Sequence, residues 1–83
     1  MAKQEFKPAS RVMAGDVLVA SIIRHGNGRP GSPVRWLVYW SPLAERMGAQ
    51  PGVTFRYRQE AEAAAMRWAV PRMAHAPRVE LAQ

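Results

Sequence analysis

The stretch that decides the fold is Val34-Arg35-Trp36-Leu37-Val38-Tyr39-Trp40. It is rich in aromatic and β-branched residues, which fit the pleated surface of a β-strand. Successive side chains of a strand point to opposite faces of the sheet. One face therefore receives the heavier apolar set and is predicted to be covered: Trp36, Val38 and Trp40. The other face is predicted to point outward: Arg35, Leu37 and Tyr39.

Two further strands are predicted on either side of this one. Residues 17–23 form a short β-branched run, and residues 53–57 form another. Residues 25–33, between the first two strands, are dense in Gly, Asn and Pro and predict a loop. Ser41-Pro42 ends the middle strand, so Trp40 is the tryptophan expected to be partly exposed. Residues 43–52 then predict a loop or one short helical turn.

A helix is predicted over residues 58–70. Alanine and glutamate, both strong helix formers, dominate this segment, and Pro71 ends it. An inner stripe of small alanines with Trp68 lets such a helix approach a sheet closely. Alternation along the third strand predicts that Phe55 and Tyr57 face this helix.

The order of these elements predicts an α+β fold. Its core is a three-stranded antiparallel meander followed by one α-helix packed on one face. We also expect a short C-terminal edge strand within the tail, residues 71–83, and an extended N-terminal arm over residues 1–16. A chain of 83 residues is too short to divide its apolar residues between two cores. Residues 1–83 are therefore expected to form a single domain.

The composition is globular, with a basic excess. The chain has twelve lysines and arginines against six acids, a formal net charge of +6. Between Arg24 and Arg58, six arginines stand against the single acid Glu45. Cysteine is absent, which excludes disulfides and thiolate metal sites and fits a reducing cytoplasm. No signal-peptide pattern or bilayer-length apolar run is present, so we expect a cytoplasmic protein that is not bound to membranes.

No catalytic or metal-binding motif accompanies this charge. Neither histidine, His25 or His75, has an acid at a regular metal-ligand spacing, and no serine lies in a nucleophile-elbow pattern. The Gly26-Asn27-Gly28 run is not followed by the helix that a phosphate-binding loop requires. We therefore expect a protein that is not an enzyme and that has no cofactor and no metal.

Two parts of the chain carry a family resemblance: Trp36-Leu37-Val38-Tyr39-Trp40, and, after a turn-rich connection, residues 55–63. Together they resemble the arm-type DNA-binding domains of tyrosine recombinases. Those modules have three antiparallel strands and one helix, and the exposed face of the sheet enters the major groove. The resemblance implies structural roles for Trp36, Val38, Phe55 and Ala61. It implies DNA contacts from Arg35, Tyr39 and Arg56.

The sequence departs from that family in two ways, and these change the function that we expect. The family has Thr or Ser, which caps the helix, where Tyr57 stands here. The recombinase core to which such modules are fused has no counterpart in these 83 residues. We therefore expect a small non-enzymatic DNA-binding protein, dimeric and from a phage or mobile element. Its contacts to DNA or to another partner are expected from Arg24, Arg29, Arg35, Tyr39, Arg56 and Arg58.

An apolar strip supports an alternative. If Arg24 points outward, alternation also turns Leu18, Ala20 and Ile22 outward, beside Leu37. Such a strip needs cover from the N-terminal arm, a second subunit or a protein partner. The alternative is therefore a small protein-binding inhibitor or adaptor, anti-CRISPR-like or another host-takeover protein, that acts on a host protein complex. Its interface would include Leu18, Ile22 and Leu37.

Overall fold

The computed structural model describes residues 8–26, 31 and 33–82, and these form an antiparallel sheet with one helix packed on it. The strands are β1 (Ser10–Ala14), β2 (Val17–His25), β3 (Arg35–Trp40), β4 (Thr54–Phe55) and β5 (Pro77–Leu81). The helices are α1 (Pro42–Arg46) and α2 (Arg58–Ala69). The strands lie in the order β4-β3-β2-β1-β5, and α2 covers one face. The predicted α+β class, with a C-terminal edge strand, is confirmed. No helix within the described ranges is long and apolar enough to cross a membrane.

The N-terminal segment is not a free arm over Ser10–Ala14. These residues form β1, which pairs with β2 on one side and with β5 on the other. The chain turns from β1 into β2 through Gly15 and Asp16. Gly15 has a φ of +61°, as the first central residue of a type II′ turn requires. A Cβ at Gly15 would lie 3.0 Å from Cδ2 of His75, so both backbone and space favour glycine.

Helix α2 lies close to the sheet because its inner stripe consists of alanines. Ala61, Ala65 and Ala69 recur every four residues and are fully buried. The N-cap residue, Tyr57, makes no side-chain hydrogen bond to the helix. The expectation that Tyr57 faces the helix is wrong: β4 ends at Phe55, the chain bends, and the Tyr57 side chain is exposed.

The orientation of β2 also differs from the expectation. Ile22 pairs with Val38 and Arg24 with Trp36, and directly paired residues share a face. Because α2 covers the face that carries Val38, Ile22 is fully buried beneath it. Placing Arg24, Ile22 and Ala20 on the outward face was therefore wrong.

A β-bulge explains why Leu18 does not share the face of Ala20, Ile22 and Arg24. The partner of Val12 is Ala20, whereas the partner of the next residue, Met13, is Leu18. One extra residue, Val19, is thus accommodated opposite β1, and the parity of the strand changes there. As a result Leu18 and Ala20 lie on opposite faces although they are two residues apart.

The end of β3 is closed by α1 and the loop that follows it. The Ser41 Oγ accepts a hydrogen bond of 3.2 Å from the Ala44 N–H and caps α1, with Pro42 in the first turn. The Trp40 Nε1–H donates to the carbonyl oxygen of Gln50 over 3.1 Å. Trp40, expected to be partly exposed, is therefore buried.

Candidate nucleic-acid interface

The face of the sheet opposite α2 is formed by alternate residues of all the strands. Their positions follow from the cross-strand register, in which paired residues share a face. Tyr39 stands near the middle of this open face and is 62% exposed. The open face consists of Arg11, Met13, Leu18, Ser21, Ile23, His25, Arg35, Leu37, Tyr39, Thr54, Arg78 and Glu80.

Three side chains form an apolar centre on the open face, which we call the central patch: Ile23, Leu37 and Tyr39. Ile23 pairs directly with Leu37, and Tyr39 follows two residues later in β3. Together with His25 they line a shallow depression of about 90 Å³. A depression this small holds no sizeable ligand, but it offers a largely apolar contact surface with the Tyr39 hydroxyl as a polar group.

Basic side chains flank the central patch on two sides. Arg35 pairs with His25 at the far end of the β2–β3 ribbon, and Arg11 lies in β1 opposite Ser21. Within the described residues, neither Arg11 nor Arg35 forms an ion pair with a carboxylate. Among the described residues, the Arg35 guanidinium therefore remains available to an external anion, whereas Arg11 also stands directly opposite Glu80 of β5, which partly offsets its charge.

A third arginine of the open face is already engaged. The Arg78 guanidinium lies 2.6 Å from a carboxylate oxygen of Glu80 and donates a hydrogen bond of 2.9 Å to the Gly15 carbonyl oxygen. Its charge is largely balanced within the chain, so Arg78 adds little to a polyanion-binding surface.

Of the residues predicted to bind a partner, the structure brings three together on the open face: Arg35, Leu37 and Tyr39. Leu18 lies on the same face, opposite Met13 and 37% exposed. This group combines Arg35, which has no ion-pair partner among residues 8–26, 31 and 33–82, with apolar side chains.

The remaining predicted residues are dispersed. Arg24 is exposed at the end of β2 but lies on the α2 side of the sheet. Arg56 is exposed in the bend between β4 and α2, where the strand ladder has ended. Ile22 belongs to the core, and Arg29 lies outside the described residues. The predicted arginines that the structure describes therefore do not form a single cluster on one sheet face.

Arg58 has an intramolecular partner instead. It is the first residue of α2, and its Nε lies 3.3 Å from the Glu62 Oε2, one turn along the helix. The same Oε2 accepts a hydrogen bond of 2.6 Å from the Ser10 hydroxyl. The Arg58 Nε is buried and finds no aligned acceptor, so the contact is an ion pair rather than a directional hydrogen bond. We therefore assign Arg58 to the junction of β1 and α2.

Three residues that line or flank the central patch were missed by the sequence reasoning: Arg11, Ile23 and His25. A signal for Arg11 was present in the Gly15-Asp16 pair, which is typical of a two-residue hairpin turn. That turn pairs residues 10–14 with β2 and places Arg11 beside Ser21. No comparable signal was available for Ile23 and His25, because both parities of residues 17–23 are largely apolar and only the pairing with β3 decides which one faces outward.

A second surface feature lies on the other side of the sheet, between α2 and the loop after α1. It is a half-open apolar groove of about 400 Å³. Trp40 and Trp68 meet there in a tilted arrangement with ring centroids 4.9 Å apart. The Arg72 guanidinium lies 4.9 Å from the centre of the Trp68 ring and donates to the Trp68 carbonyl oxygen over 2.7 Å. These contacts hold the C-terminal end of α2 on the sheet.

Comparison of the chain with protein-family models, with curated proteins and with solved structures finds no match. Across the described ranges, no group of three or more His, Cys, Asp or Glu side chains is arranged to hold a metal ion.

Proposed function

We propose that the protein binds nucleic acid through the open face of the β2–β3 ribbon. The observation that carries this proposal is that Arg35, a cation with no carboxylate partner among the described residues, shares one face of β3 with the exposed Tyr39. Residues 17–44 contain no acid, so the ribbon carries no aspartate or glutamate that would repel phosphates.

The dimensions of the ribbon suit this role. The nine residues of β2 span about 30 Å at the usual rise of roughly 3.3 Å per residue. A two-stranded β-ribbon fits the major groove of B-DNA. The planar guanidinium of Arg35 matches a phosphate or the edge of a guanine, and the Tyr39 hydroxyl donates a further hydrogen bond. Arg11 adds a second cation next to the ribbon.

The resemblance to the arm-type DNA-binding domains of tyrosine recombinases supports the same surface. In those modules the exposed sheet face enters the major groove, and the matching positions here include Arg35 and Tyr39. The structure-based surface differs in using Arg11 and in leaving out Arg58. We also propose that the protein is cytoplasmic, that it is not an enzyme and that it comes from a phage or mobile element.

Fluorescence anisotropy tests the proposal. It measures the binding of a labelled DNA duplex at a series of salt concentrations. The logarithm of the binding constant should fall linearly with the logarithm of salt concentration, with a slope of about −0.9 per phosphate neutralised. R11A should weaken binding and make the slope shallower. R67A removes an exposed arginine from α2, on the other side of the sheet, and should leave the binding constant and the salt slope unchanged. Absence of binding at low salt, or equal effects of R11A and R67A, would contradict the proposal.

A second candidate function is binding to a host protein complex as an inhibitor or adaptor. The central patch favours it, because Ile23 and Leu37 add apolar contact area that a phosphate backbone does not use. L37A should weaken a protein complex through lost apolar contact and leave DNA affinity nearly unchanged. A pull-down from the host, with and without nuclease, separates the two candidate functions. A host protein that is still captured after nuclease treatment, and is no longer captured by the L37A variant, favours protein binding. A host protein whose capture is lost on nuclease treatment favours DNA binding.

A further inference from the structure

Within the part of the chain that the structure describes, one edge of strand β5 has no partner strand. It is the last strand in the sheet order, and among the described elements it contacts only β1 and α2. Val79 and Leu81 are exposed, Leu81 at 67%. An edge strand presents backbone N–H and C=O groups that another strand can pair with.

The direction of these backbone groups follows from the pairing with β1. The Ala82 N–H donates to the Ala9 carbonyl oxygen over 3.0 Å, so Ala82 directs its backbone groups towards β1. Alternate residues of an antiparallel strand do the same, which applies to Arg78 and Glu80. The intervening residues direct their groups towards the free edge: Pro77, Val79 and Leu81. Pro77 thus stands where a missing N–H costs no hydrogen bond within the chain.

The charges of β5 are self-complementary about Val79. Arg78 and Glu80 lie on the open face, one on each side of Val79, and form an ion pair with each other within one copy. A second copy would therefore add its charges to this intramolecular pair. In an antiparallel pair of two β5 strands centred on Val79, each Arg78 stands opposite the other copy's Glu80. The neighbouring registers place Arg78 opposite Arg78, or Glu80 opposite Glu80, and like charges directly opposite destabilise a sheet. The charge pattern therefore selects one register.

We propose that two copies of the chain associate through β5 in this register and form one continuous sheet. Each Val79 N–H donates to the Val79 carbonyl oxygen of the other copy, and each Leu81 N–H donates to the other copy's Pro77 carbonyl oxygen. The exposed side chains of Val79 and Leu81, on the α2 side, pack against Val79 and Pro77 of the other copy. The contact is isologous, as a two-fold symmetric dimer requires.

This inference goes beyond the proposed function and does not depend on it. The open faces of both copies lie on the same side of the joined sheet, because the two-fold axis runs perpendicular to it at Val79. The central patch of each copy, on β2 and β3, is separated from the contact by β1. Dimer formation therefore leaves the proposed nucleic-acid surface uncovered.

Sedimentation velocity over a range of protein concentrations tests the proposal with charge variants. R78E and E80R each place like charges opposite each other twice, so each should raise the dimer dissociation constant roughly tenfold or more. The double variant R78E/E80R restores opposite charges and should associate as the original chain does. An equimolar mixture of R78E and E80R should form heterodimers, because an acidic strand then faces a basic one.

A backbone variant tests the same contact independently. V79P removes an N–H that points away from β1, so the far-UV circular dichroism should be unchanged while self-association is lost. A chain that is monomeric at all concentrations would overturn the proposal. Self-association that is insensitive to V79P and to both single charge reversals would also overturn it, as would a mixture of R78E and E80R that stays monomeric.

Discussion

The hydroxyl of Ser10 donates a hydrogen bond of 2.6 Å to the carboxylate of Glu62 and so links the start of β1 to the first half of α2. These residues lie 52 positions apart in the chain. Ser10 is fully buried, so its hydroxyl has no access to water in the folded state. Hydrogen bonds to charged groups stabilise folded proteins by about 1.5–3 kcal/mol. In a small domain this is a large share of the total stability.

We therefore expect S10A to lower the free energy of unfolding by about 1.5–3 kcal/mol, since the Glu62 carboxylate loses its hydroxyl donor in a half-buried position. Urea titration followed by tryptophan fluorescence measures the change. The matched control is S21A, because Ser21 is half-buried on the open face and its hydroxyl makes no hydrogen bond within the described part of the chain. Equal losses for S10A and S21A would show that the contact with Glu62 does not stabilise the fold.

The turn between β1 and β2 leads to a second prediction. G15A should destabilise the fold by about 1–2 kcal/mol from the positive φ alone. The new methyl group adds a further cost, because it would approach the His75 ring to 3.0 Å. Thermal unfolding of G15A, H75A and the double variant separates the two contributions. The effect of G15A should be smaller in the H75A background; an identical effect in both backgrounds would show that the ring does not crowd the turn.

The parts of the fold that sequence predicted are those in which local pattern and tertiary packing agree. Helix α2 was predicted because its alanine stripe has helical spacing, and the two faces of β3 because both tryptophans and Val38 have one parity while Arg35 has the other. The inner position of β1 was missed, since a five-residue strand carries a weak pattern and only the Gly15-Asp16 turn signals its partner. The Arg58–Glu62 pair has the i,i+4 spacing of a helical ion pair and was open to sequence reasoning, whereas the contact of Glu62 with Ser10 joins residues 52 positions apart that no local pattern connects.

The faces of β2 were beyond sequence reasoning for a different physical reason. Both parities of residues 17–23 are largely apolar, so neither face of the strand is marked as the outer one. The bulge at Val19 then reverses the parity part-way along the strand. Only the register with Val38 and Trp36 decides that Ile22 is buried and that Ile23 faces outward. The candidate site changed with it: Arg24 left the open face, and Ile23 and His25 joined it.

The close approach of α2 to the sheet predicts a sharp difference between neighbouring alanines. Ala65 is fully buried beneath the helix, whereas Ala63 is exposed on its outer side. A65L inserts three carbon atoms into a packed interface and should destabilise the fold by about 1–3 kcal/mol. A63L keeps the helix propensity nearly the same and should change stability by less than about 0.5 kcal/mol. Urea titration of both variants measures the difference; similar values would mean that α2 does not pack closely on the sheet.

The two arginines at positions 35 and 58 provide the last prediction, because sequence reasoning assigned DNA contacts to both and the structure separates them. Arg35 has no carboxylate partner within the described residues, whereas the Arg58 Nε lies 3.3 Å from Glu62. If the open face binds DNA, R35A should weaken binding of a duplex roughly tenfold and reduce the magnitude of the log–log salt slope by about 0.9.

R58A should leave the affinity and the salt slope nearly unchanged and should lower the free energy of unfolding by about 0.3–0.5 kcal/mol, the usual contribution of an ion pair one helical turn apart. Anisotropy and urea titration on the same two proteins measure both quantities. The opposite pattern, an unchanged salt slope for R35A and a reduced one for R58A, would move the nucleic-acid surface from the open face to the N-terminal end of α2.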